Sequence, residues 1–251
     1  MKLKEIYDFL DNLSPFALQE KWDNTGLLVG SFDDEIKNIY ISIDLDEELV
    51  QEVEENSLII THHPLIFSGL KRVNYNTYST KLLRELIKKN ISLISMHTNI
   101  DKTHLNKYYI ENILGFKIIN NDEFISYCDV NMNFDDLVKH VCKKTDLKIA
   151  KTVKCNDFIE KIAVVTGSGM SLINEVKANC FLTGDIKYHD AMEAKAREIS
   201  LIDIGHYESE RCFASLMQGL LSEYLKKNKL KAIITASKNP FEFFIEGETV
   251  E

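Results

Sequence analysis

Apolar residues recur along the chain in two alternating patterns, helical spacings of three and four and short β-branched runs, and each short run ends in polar residues. Leu3, Ile6, Tyr7 and Leu10 share one helical face, and Ser14-Pro15 ends or restarts that helix. The turn Trp22-Asp23-Asn24-Thr25-Gly26 leads into a short strand, and Trp22 reads there as a packing residue before a binding one. Residues 39–43 predict a strand ending at Asp44, and the following Asp46-Glu47-Glu48 suits a helix N-terminus. Residues 57–60 predict a buried strand that runs into Thr61-His62-His63-Pro64, where Pro64 cannot continue a sheet ladder. Leu82, Leu83, Leu86 and Ile87 give another amphipathic helix, and residues 91–96 a strand running into His97-Thr98-Asn99-Ile100-Asp101. A helix carrying Leu105, Tyr109 and Ile113 closes near Gly115.

The second half alternates in the same way. Strands are predicted at 124–130, 162–165, 180–183, 201–204 and 232–235, with helical segments at 137–142, after Asp190, and from His206 through Tyr224. Thr166-Gly167-Ser168-Gly169 follows the second of these strands; a tight turn is the better reading, since a short Gly-x-Gly is weak as an anion cradle. Alternation of strand and helix predicts an α/β protein with parallel strands. No Pro/Ser-rich linker divides the chain, so the expected units are 1–120, with His62, His63 and Asp101, and 121–251, with His206 and Glu210 and a C-terminal tail packing back on the first.

Composition narrows the function classes. The net charge is −9 and no basic block tracks a phosphate backbone, so nucleic-acid binding is disfavoured. Cys128, Cys142, Cys155, Cys180 and Cys212 are odd in number and form no CxxC, which argues against a disulfide framework or zinc ribbon and for a reducing cytoplasm. No apolar run approaches the ~18 residues of a membrane span.

The chemistry gathers where strands end, the edge at which open α/β sheets bind ligands. Alone, the His62-His63 pair reads as one core and one loop histidine, because neighbouring strand residues face opposite ways; at a strand end that curls over they could serve two adjacent ions. His206 and Glu210 are one helical turn apart, in the sector of Phe213, Met217, Leu220, Leu221 and Tyr224. A buried carboxylate needs a cation or an ion-pair partner, and a structural salt bridge is the plainer reading of the pair by itself. His62, His63, Asp101, His206 and Glu210 nevertheless all follow predicted strands, and imidazoles with carboxylates and no thiolate suit zinc, iron, manganese, cobalt or nickel. Three imidazoles and two carboxylates support a dinuclear site if a glutamate bridges, with room for water.

Trp-Asp-Asn-Thr-Gly-Leu at 22–27, Thr-His-His-Pro at 61–64, His-Thr-Asn-Ile-Asp at 97–101, Thr-Gly-Asp at 183–185 with His189, and Gly-His-Tyr-Glu-Ser-Glu at 205–210 together resemble the GTP cyclohydrolase 1 type 2 homolog family, also called Nif-three-like dinuclear metal-centre proteins. The resemblance spans nearly the whole chain. It implies two intertwined, similarly built α/β units with mixed, largely parallel sheets flanked by helices, a metal site between them, and a ring-shaped homohexamer. It implies two divalent ions per chain, with His63 and Asp101 on one, His62 and His206 on the other, and Glu210 bridging. His97 and His189 are the remaining candidates, each for orienting a ligand or donating a proton to a leaving group, or else for a hydrogen-bonded structural role. Asp185 and Asn24 are candidate supporting or substrate contacts, while His104 and His140 read as surface residues.

Two functions follow. The first is a metal-dependent hydrolase of a small-molecule substrate, GTP cyclohydrolase-like by resemblance, using a water activated by the ions. The second is a non-catalytic, metal-stabilised regulatory or scaffold protein acting through partners.

Overall fold

The computed structural model describes residues 1–235, 237–245 and 248–250. Two compact units are present: 1–100 with 213–238, and 101–212 with 239–251.

The first unit holds a five-stranded sheet in the order Gly26–Val29, Ser92–Ser95, Leu58–Thr61, Ile39–Ser42, Ala232–Ile234. Its four later-paired strands are parallel, and Gly26–Val29 runs antiparallel along one edge. Side chains of the central strands alternate between two buried faces. Tyr40, Ile59 and Leu93 meet Leu49 and Val50 from the helix Glu47–Glu52 and Leu82 and Leu86 from Tyr78–Lys88. Ile39, Ile41, Leu58, Ile60 and Ile94 take the other parity and are fully or almost fully buried. Asp46 caps its helix by accepting from the Leu49 amide, as its place before the acidic turn predicts. The helix Phe213–Asn228 lies against Ile39–Ser42 and Ala232–Ile234.

The second unit holds a six-stranded mixed sheet in the order Asn120–Asp122, Ile125–Asn133, Phe158–Val164, Cys180–Thr183, Ser200–Asp203, Thr152–Val153. Phe158–Val164, Cys180–Thr183 and Ser200–Asp203 are parallel neighbours, and the remaining pairings are antiparallel. Phe134–Thr145 and Tyr188–Ala196 flank this sheet. Asn106 ties its interior together, donating to the Phe124 and Val164 carbonyls and the Ser126 hydroxyl while accepting from the Thr166 amide.

Two differences from the sequence reading concern connectivity. The units part at 100/101 and 212/213 where a single cut near 120 is expected, so Asp101 belongs to the second unit. The second boundary follows from a pairing across the whole chain: Ala232–Ile234 adds in parallel to Ile39–Ser42 and brings its preceding helix to the first sheet. The stripe read from His206 to Tyr224 is also two helices, His206–Glu210 and Phe213–Asn228, one in each unit. At the break the Arg211 guanidinium donates to the Thr145 carbonyl.

Candidate functional site

Strand register builds the first unit's half of the chemistry. Ser42, Thr61 and Ser95 are paired in one row, so the residues that follow them leave the sheet at the same edge. Those residues are Asp44, His62-His63 and Met96-His97. The chain curls as it leaves: the amides of both His62 and His63 donate to the Ile43 carbonyl, at 3.2 and 3.0 Å. The two rings therefore come to 4.8 Å between centroids, instead of projecting from opposite faces. His62 keeps the parity of Leu58 and Ile60, is fully buried, and lies 5.1 Å from the Phe213 ring. His97 arrives from the neighbouring strand, 5.1 Å from His62 and 5.5 Å from His63. One ring nitrogen from each of these three histidines lies within 4.8 Å of the others.

Each ring is held through Nδ1. His62 Nδ1 is 2.9 Å from the Met96 carbonyl, His63 Nδ1 is 2.8 Å from Asp44 Oδ1, and His97 Nδ1 is 2.8 Å from Asp23 Oδ1. An Nδ1–H donated to oxygen leaves Nε2 with its lone pair, the state in which imidazole binds a cation. Asp23 has a fully buried carboxylate that also accepts from the Thr98 amide and hydroxyl and from the Asn24 amide. Burial acts to raise its pKa, but the His97 hydrogen bond and charge, with the Thr98 and Asn24 donors, bring it down to about 2. Asn24 reaches back with its amide to the Ile66 carbonyl at 2.5 Å.

The second unit repeats the logic. Val164, Leu182 and Ile202 are in register, and the strands lead into Gly167, Gly184-Asp185 and Gly205-His206 at one edge. The helix begins at His206, directly after Gly205, so His206 and Glu210 stand one turn apart, with Nε2 3.1 Å from Oε2. Asp185 Oδ2 lies 2.7 Å from His206 Nδ1. A neutral imidazole has one N–H and cannot donate to both carboxylates, so this geometry calls for an imidazolium or for a cation shared by Nε2 and Glu210. Glu210 is only 3% exposed, which sharpens that demand. Gly167 has φ +64, and a Cβ there would come 2.1 Å from Glu210 Oε1, so the turn read from Gly-Ser-Gly seats this carboxylate. Asp101 opens a widened helical turn, Asp101–Leu105, of the kind that re-aims side chains at functional positions.

The remaining histidines stand apart from these groups. His189 is exposed on Tyr188–Ala196 with its ring 5.3 Å from Tyr188, and it is not part of a metal-competent cluster among the described residues. His140, read as a surface residue, is half-buried and bonds the Leu114 carbonyl at 2.8 Å. His104 is also half-buried, and its pKa is lowered by burial and by Lys107. Asp23 and Asp44, the partners of His97 and His63, carry no motif of their own in the sequence. Only their positions, in a polar turn and just past a strand end, could have marked them.

Fold and strand-end histidines define an α/β protein with a candidate metal-binding site. Over residues 1–240 the chain matches the Duf34/NIF3 (NGG1p interacting factor 3) family, and it belongs to that family. It is 54% identical over 245 residues to the Campylobacter jejuni protein named GTP cyclohydrolase 1 type 2 homolog, covering 97% of this chain and 100% of that relative. It is 44% identical over 224 residues to the GTP cyclohydrolase 1 type 2 of Helicobacter pylori strain J99, covering 88% and 92%. Among solved structures, Staphylococcus aureus hypothetical protein SA1388 superposes with a TM-score of 0.85 at 29% identity, covering 97% of this chain and 99% of that one. Reduced HcgD from Methanocaldococcus jannaschii does so at 0.75 and 28%, covering 93% and 97%. No helix among the described residues is long and apolar enough to cross a membrane.

Proposed function

We propose that the protein is a metal-dependent hydrolase that holds two divalent ions through His62, His63, Asp101, His206 and Glu210. The observation that supports this most is the treatment of Nδ1: His62, His63 and His206, the three proposed ligand histidines, each have that atom against an oxygen acceptor. A ligand histidine is held in this way so that Nε2 serves the metal, and here the holding groups are two carboxylates and a backbone carbonyl. The donor set of imidazole and carboxylate suits zinc, iron, manganese, cobalt or nickel. When bound, such ions polarise the bond under attack and lower the pKa of water.

The chain's own groups supply the rest. Asp44 and Asp185 orient His63 and His206, and Gly167 leaves space for Glu210. His97, fixed by Asp23, is the proposed proton carrier to the leaving group. Two Helicobacter pylori relatives bear the GTP cyclohydrolase 1 type 2 name, so ring opening of GTP with water is the hydrolysis to test first.

Elemental analysis of the purified protein beside Glu210→Ala, with melting temperature on both, tests the metal reading. About two ions per chain in the wild type and substantially fewer in the variant are expected. Fewer than about one ion after reconstitution with each candidate metal removes the dinuclear reading. A metal-loaded protein that releases no formate from GTP removes the cyclohydrolase reading alone. Chelation that abolishes hydrolysis and leaves the fold intact supports the catalytic reading, whereas chelation that lowers the melting temperature of a metal-loaded protein showing no hydrolysis favours the scaffold function instead.

A further inference from the structure

Beside the three histidines of the first unit stand two aromatic rings that burial does not explain. Trp22 is 57% exposed and Phe67 is 50% exposed, and their centroids are 5.8 Å apart with the planes tilted by 42°. Both lie edge-on to His97, Trp22 at 6.1 Å and Phe67 at 6.5 Å. A packing role would hide these rings, because aromatic side chains contribute to a core by leaving water.

The rings are exposed but their backbones are anchored. Asp23, next to Trp22, is locked by His97 and Thr98, and its own amide donates to the Glu20 carbonyl. The Asn24 side chain donates to the carbonyl of Ile66, the residue before Phe67, and so clips the second ring's segment to the first ring's turn. Preorganised aromatic surface of this kind costs little entropy to use.

We propose that Trp22 and Phe67 form a stacking ledge that positions the flat ring of the substrate beside His97. This rests on the reading of His97 as a proton carrier beside bound ions. The ledge sets which ring is presented to His97; the metal ligands do not select it. Every heterocyclic base offers a π-face, so the ledge confers preference for a flat ring over a sugar or an alkyl chain.

Trp22 is the single tryptophan of the chain, so its fluorescence reports the ledge directly. The metal-loaded protein is titrated with guanosine 5′-monophosphate and, separately, with ribose 5-phosphate, which carries the anion without the ring. Saturable quenching by the nucleotide and none by the sugar phosphate is expected. Phe67→Ala should weaken the nucleotide roughly tenfold and Phe67→Tyr should restore it, with metal content unchanged in both. No saturable response to the nucleotide, an equal response to ribose 5-phosphate, or an unaltered affinity in Phe67→Ala overturns the proposal. So does an emission change that follows protein concentration and not the nucleotide, which would assign the ledge to a second copy of the chain. Elemental analysis of the same samples separates the two readings: a ledge that fails with ions bound leaves the metal centre standing, and nucleotide binding without ions leaves the ledge standing.

Discussion

Asp185 Oδ2 lies 2.7 Å from His206 Nδ1, and Asp185 adopts a left-handed backbone with φ +56 to make that contact. Asparagine tolerates this conformation, so Asp185→Asn removes the charge behind the ring and keeps the turn. The substitution should weaken metal binding by about 10- to 100-fold while the protein stays folded. Metal titration followed by circular dichroism of the same sample checks both halves of the statement.

Asp23 makes stability depend on acid. Its native pKa of about 2 lies below the roughly 3.9 of an unfolded aspartate, so the unfolded chain binds the proton more readily. The stabilisation it contributes is complete above about pH 4 and is lost as the pH falls through about 2. Urea unfolding of Asp23→Asn across this range should show a shallower acid slope than the wild type. At neutral pH the variant should be less stable by about 1–3 kcal/mol, because buried donors lose a charged acceptor.

Two glycines should respond in opposite directions to alanine. At Gly167 the left-handed φ of +64 and the 2.1 Å approach to Glu210 Oε1 leave no room, so Gly167→Ala should cost about 1–3 kcal/mol and lower metal content through the displaced carboxylate. At Gly219, within Phe213–Asn228, an added Cβ meets nothing within 4 Å. Gly219→Ala should therefore stabilise by about 0.5–1 kcal/mol, through helix propensity and a less flexible unfolded chain. Melting temperatures of the two variants give the comparison.

Thiol reactivity should divide the cysteines by burial. Burial pushes the Cys128 and Cys212 thiols up to about 12 and raises Cys180 further. Cys142 and Cys155 are half-buried and are raised by the same cause. A thiol reagent at pH 8 should modify Cys142 and Cys155 first and slowly, and reach all five cysteines only in denaturant. Mass spectrometry after timed quenching assigns the order; early modification of Cys180 would contradict it.

The local period of the chain carried the strands and their ends. The β-branched run before His62-His63, the run before His97 and the four-residue spacing of His206 and Glu210 are all contained in a few consecutive residues, and each was legible in the sequence. Backbone geometry converts such spacing into direction without help from the rest of the chain. The partners of these residues were not legible. Asp23 meets His97 across 74 positions and Asp44 meets His63 across 19, and only the register of the parallel strands decides which loops arrive together. The same limit hid the break after Glu210 and the return of Phe213–Asn228 to the first sheet, because an apolar stripe shows that a helix is buried but not which sheet buries it. The sequence by itself determined the type of the central strands and their flanking helices and the chemistry at their ends, but not the short edge strands Asn120–Asp122 and Thr152–Val153, which only pairing to a neighbour defines; tertiary structure decided which side chains hold each imidazole and which sheet each element joins, since those contacts depend on closing long loops in one register.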